Sequence, residues 1–80
     1  MTWEYLEVRV EFSVGRGAHR CKVVENGKSV ESGDWIRDPK KHKYWDNSYA
    51  CANHYAMKGW ELMKMDKQGH NTWYFFKRQN

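Results

Sequence analysis

The chain is poor in the features by which most function classes are recognised. Proline occurs once, at Pro39, and marks an exposed connection. Cysteine occurs twice, at Cys21 and Cys51, too sparsely for the disulfide framework of a small secreted domain. The two read as buried free thiols, which pack as small hydrophobes. A disulfide would require the second strand and the helix to lie side by side. No apolar run approaches the roughly 20 residues that span a bilayer, and no signal peptide opens the chain, so a cytoplasmic protein is expected. Gly15-Arg16-Gly17 is too short for a phosphate-cradling loop and precedes a strand. Internal repeats and low-complexity segments are absent.

What is present is aromatic and basic. Eighty residues suit one α+β domain, 1–80, with an inserted hairpin and basic loop at about 13–43. A chain of this size buries only about 60% of its unfolded surface. Aromatics make up 16% of it, and each buried ring removes roughly 150–250 Å² from water. Oligomerisation is another remedy for a thin core, and a homo-oligomer is expected. The net charge of +4 is uneven: residues 13–43 carry eight Lys or Arg against four acids. A localised basic region favours an anionic partner.

Periodicity predicts strands over 2–12, 19–25 and 28–31, a helix within 44–62, and strands over 60–66 and 72–78. In the first strand Leu6, Val8, Val10 and Phe12 share the parity expected to face the core, and Trp3, Tyr5, Glu7, Arg9 and Glu11 share the other. Asn26-Gly27 is the strongest short hairpin signal and suits a type I′ turn. Asp46, Asn47 and Ser48 are good N-cap residues, Gly59 suits the C′ position, and Tyr49, Ala52, Tyr55 or Ala56 form the expected buried stripe. Asn53, His54 and Lys58 are expected toward water. The strand from Trp60 should present Trp60 and Leu62 on one face and Met63 and Met65 on the other, as a central strand does. Trp35 and Ile36, in the 32–43 connection, either tuck under the helix or form an exposed patch. The predicted fold is α+β, an antiparallel sheet of four or five strands covered on one face by a single helix, in the order β-β(-β)-α-β-β.

Three signatures coincide in this frame: Trp3-Glu4-Tyr5 opening the first strand, Gly59-Trp60-Glu61-Leu62 joining helix to strand, and Phe76-Lys77-Arg78 closing the chain. The sequence thereby resembles domain-of-unknown-function family 4177, a group of small bacterial and phage proteins. The resemblance covers residues 2–10 and roughly 46–78. It implies a strand, a helix and a two-stranded hairpin, and it carries no established activity, catalytic residue or cofactor. Residues 13–43 depart from that pattern as an elaboration of this chain.

Catalytic chemistry finds little support. His19, Cys21, Cys51 and His54 are the right ligand types for zinc but not at zinc-finger spacing. Cys51 and His54 lie one helical turn apart, a spacing that rarely aims the two side chains at each other. The expectation is a non-enzymatic protein with no metal and no cofactor. The basic segment is more promising, because cations for phosphate and aromatic planes for bases are the ingredients of nucleotide or nucleic-acid binding. Arg16, Arg20, Arg37, Lys40, Lys41 and Lys43 are the expected phosphate contacts, with Trp35 or Trp45 stacking. A phage-type protein sequestering a nucleotide signal would fit. The alternative is a protein–protein interaction module, or an inhibitor of a host protein, acting through Trp3, Tyr5, Arg9, Trp73 and Tyr74 on an aromatic sheet face.

Overall fold

A computed structural model describes residues 2–44 and 49–79. Trp45 and the expected N-cap run Asp46, Asn47 and Ser48 lie outside the described residues. The strands are β1 (Trp3–Ser13), β2 (Ala18–Glu25), β3 (Lys28–Glu31), β4 (Glu61–Gln68) and β5 (Asn71–Gln79). A single α-helix, α1 (Ala50–Ala56), precedes β4. All five strands form one antiparallel sheet in the order β3-β2-β1-β5-β4, with α1 packed on it, as the α+β reading expects.

The alternation of β1 decides the two faces. Leu6, Val8, Val10 and Phe12 stand opposite Glu25, Val23, Cys21 and His19 of β2. On the other side Leu6, Val8 and Val10 stand opposite Phe76, Tyr74 and Thr72 of β5. Those residues make up the helix side, where Val8, Cys51 and Phe76 are the most completely enclosed. The Tyr55 ring meets the Phe76 ring at 5.3 Å and ties helix to sheet.

The β2–β3 hairpin turns at Asn26-Gly27 with φ of 49° and 82°, the paired positive values that a type I′ turn requires. Asn26 also extends the β1–β2 ladder. Its amide donates to the Tyr5 carbonyl and its side-chain Oδ1 accepts from the Tyr5 amide, both at 2.8 Å.

Three expectations are corrected. Helix α1 is only seven residues long; of the expected stripe it buries Tyr55, with Cys51 beside it, while Ala52 is half-buried and Ala56 is exposed. Tyr49 is the N-cap, outside the helical period, and is 64% exposed. His54 does not simply face water, since its ring packs edge-on against Tyr55 at 4.9 Å. Strand β4 is an edge strand, not a central one. A β-bulge between Leu62 and Lys64 makes Met63 an extra residue, so Leu62 and Met65 both fall on the helix side, opposite Phe76 and Tyr74. Met63 and Met65 remain 48% and 41% exposed.

Nor do Trp35 and Ile36 lie beneath the helix. After β3 the chain runs back along β2, and Ile36 exchanges two backbone hydrogen bonds with His19, at 2.7 and 2.9 Å. Asp38 then caps a 3-10 turn, Pro39–Lys41, by accepting from the Lys40 amide at 3.0 Å. Beyond it His42 and Tyr44 are buried on the helix side. The arm thus wraps around the β2 edge of the sheet, with Trp35 on one side and Tyr44 on the other. Gly33 permits the close passage: its φ is +61°, and a Cβ there would collide with the Cys21 carbonyl oxygen.

Gly33→Ala is therefore expected to destabilise the domain by about 1–3 kcal/mol in urea unfolding, because it adds left-handed strain to a backbone clash. Gly15→Ala, where a Cβ meets nothing within 4 Å, should stay within about 0.5 kcal/mol of the parent. Equal effects at the two positions would mean that the arm does not lie against β2.

Candidate binding face

The sheet face opposite the helix is built from the odd parity of β1 and its neighbours. One row across the strands reads Lys22, Arg9, Trp73, Asp66; the next reads Val24, Glu7, Phe75, Lys64. A third pairs Tyr5 with Lys77 and Glu61. Rows of the same face are about 7 Å apart along a strand.

Cations lie over the indoles of this face. Lys77 Nζ is 4.6 Å from the Trp3 ring centre and Arg9 Cζ is 5.3 Å from Trp73. The Trp35 ring receives both Arg20, at 4.4 Å, and Arg16, at 5.2 Å. Acids hold the arginines in place: Glu11 accepts from Arg20 Nε at 2.9 Å and lies 3.7 Å from Lys22, while Glu7 lies 3.7 Å from Arg9. These are partly exposed pairs and contribute little to stability. Their effect is to fix guanidinium planes against rings.

Arg9, at the centre of the face, has one unusual atom. Its Nε is shielded from solvent and has no hydrogen-bond acceptor. An unmet buried donor of a charged group is costly. Beside it Tyr5, Glu7, Val24, Met63 and Phe75 surround a hollow of about 240 Å³.

Of the residues singled out by sequence, the structure brings Arg16, Arg20 and Trp35 together on this face, and Trp3, Tyr5, Arg9 and Trp73 join them. Arg37, Lys40 and Lys41 are exposed around the 3-10 turn. Lys43 lies on the opposite side of the sheet, where Nζ bonds Glu31 at 3.2 Å. Burial acts to depress its pKa, but the hydrogen bond and charge of Glu31 outweigh this and hold it above the ordinary lysine value. The expected single cationic cluster on the arm is thus divided, because the arm crosses the sheet edge between Trp35 and Lys43. Tyr74 is also corrected: it is buried in the helix-side core and cannot belong to an interface on the other face. Trp45 lies outside the described residues. Lys22, Lys77, Phe75 and Met63 were not among them; the register of β1 with β2 places Lys22 and its register with β5 places Phe75 and Lys77, whereas Met63 needed the bulge.

On the helix side both thiols are free and buried. Burial raises Cys21 to about 11 and Cys51 to about 12, so neither is a thiolate near neutrality. Among the described residues no group of three or more His, Cys, Asp or Glu could hold a metal ion. Burial lowers His19, and it lowers His42 with help from the charges of His19 and Lys43.

These shifts predict the pH profile of stability. For the raised thiols the unfolded chain ionises first, so their contribution is complete below about pH 9 and is lost as the pH climbs toward 11 and 12. For the lowered histidines the contribution is present above the ordinary imidazole value of 6.5 and is lost as the pH falls. Urea midpoints measured across this range should peak between the two limits. A midpoint that rises on acidification from neutrality would contradict the lowering of these two histidines.

In comparisons with family models, curated proteins and solved structures, nothing matches this chain.

Proposed function

We propose that the protein binds single-stranded nucleic acid, or a nucleotide, across the sheet face opposite its helix. The observation that carries the reading is the interleaving of indole rings and cations on that face, Trp3 with Lys77, Trp73 with Arg9, and Trp35 with Arg16 and Arg20. Exposed sheets that offer aromatic and guanidinium planes stack bases, while adjacent cations meet the phosphates. The expected site has moved from the arm onto the sheet. Arg16, Arg20 and Trp35 remain in it, and Lys43 does not.

The reading predicts that a short oligonucleotide binds with an affinity that falls as salt rises. About three phosphate contacts would give a log–log slope near −2. Trp3→Ala, at a ring that is 45% exposed and so dispensable to the core, should weaken binding about tenfold by removing one stacking platform. Arg9→Ala should weaken it as much or more, and Lys43→Ala should have little effect. Fluorescence anisotropy across a salt series measures all three. Absence of oligonucleotide and nucleotide binding at low salt would sink the proposal.

A second reading is favoured by the hollow between Tyr5, Val24, Met63 and Phe75, which is the size of a single side chain and mainly apolar. A protein partner, or a second copy of this chain, could seat an aliphatic or aromatic residue there. Sedimentation in the absence of nucleic acid separates the two readings: self-association that Tyr5→Ala abolishes would favour the protein interface.

A further inference from the structure

The helix is too short for the sheet it covers. Seven residues of α-helix reach about 10 Å, while the eleven residues of β1 reach about 36 Å. On β1 and β5 the core cluster accordingly ends at Val8 and Tyr74, and Val10 is only partly buried against it. Beyond it the same face of the sheet continues through Phe12, Thr72 and Lys67 with no helix above.

This uncovered end is a cavity of about 430 Å³, within the ordinary range of roughly 300–1,000 Å³ for small-ligand sites. Its walls are rings. Phe12 packs on His19 with centres 4.6 Å apart and on His70 at 5.5 Å, and Tyr44 and Tyr74 close the side toward the helix. Val10 and Thr72 form part of its floor. Lys67 stands at the β4 edge, opposite Thr72. Among the described residues no acid lines the cavity, and Lys67 makes no ion pair.

The geometry points to a binding site for a small aromatic carboxylate, its ring held among Phe12, His19 and Tyr44 and its carboxylate on Lys67 and the Thr72 hydroxyl. Ring walls favour a flat ligand through offset and edge-to-face contacts. A single ammonium beside a hydroxyl suits a monoanion. A phosphate dianion would call for paired cations or a bidentate arginine, which are absent from the lining among the described residues. The site lies on the opposite side of the sheet from the nucleic-acid face, so either can be present without the other.

The test is an NMR titration of the whole chain with indole-3-acetate, with neutral indole and inorganic phosphate as comparators. Saturable shifts at Val10, Met65 and Thr72 are expected with indole-3-acetate, and indole should bind about tenfold more weakly for want of the charge-assisted bond. Lys67→Ala, an exposed edge position, should reduce indole-3-acetate binding about tenfold and leave indole unchanged. Equal affinity for the acid and for indole would overturn the proposal, as would shifts confined to Trp73 and Phe75. Phosphate binding more tightly than indole-3-acetate would overturn the aromatic part of it, and no saturable shift from any probe would overturn the whole.

Discussion

The architecture depends on one mismatch, a single short helix against a long five-stranded sheet. The helix contributes two buried side chains, Cys51 and Tyr55, and the contact of Tyr55 with Phe76 anchors it. Around that point Val8, Phe76 and Cys51 lose essentially all contact with water, and burial falls off in both directions along β1. In a domain of this size each enclosed ring is a substantial part of a small net stability. Both the bare sheet face and the cavity at the far end of the helix side follow from the same shortage of covering structure.

The arm after β3 partly makes up that shortage. It passes so close to β2 that only glycine fits at position 33, bridges to His19 through Ile36, and then delivers His42 and Tyr44 to the helix side. Two aromatic rings thereby join the core from a segment whose composition reads as a solvated loop. On the other side the same segment leaves Trp35 under two arginines. A connection rich in lysine is thus structural at its apolar positions, and its charges are distributed to both sides of the sheet.

Much of this was legible in the residues, and the failures have specific causes. The alternation of β1 and the Asn26-Gly27 turn read correctly because each depends only on neighbours a few positions away. Strand β4 was misread as central because unbroken alternation would put Met63 and Met65 on one face; a single bulged residue breaks that parity, and no local pattern announces it. The expected stripe of α1 held at Tyr55 and failed at its other positions, because Tyr49 precedes the helix and Ala52 and Ala56 have little area to lose. Lys43 and Trp35 are close in sequence, and only the path of the arm around an edge separates them. The candidate face was half visible: the aromatic residues of β1 and β5 identified Trp3, Tyr5, Arg9 and Trp73, but Lys22, Phe75 and Lys77 required the register.

The bulge at Met63 also bears on how the chain avoids its own kind. Strand β4 ends the sheet with eight residues whose outward N–H and C=O groups have no neighbouring strand among those described. Such a margin ordinarily invites another chain to add on and begin an aggregate. Here the hydrogen-bonding phase slips by one residue near the start of the strand, so an incoming strand in register with one part would show the wrong face to the other. Lys64, Asp66 and Lys67 follow at once, spacing charge along the remainder. The sheet's longest open margin is therefore a poor template, and the exposed methionines can stay at the surface without nucleating polymer growth.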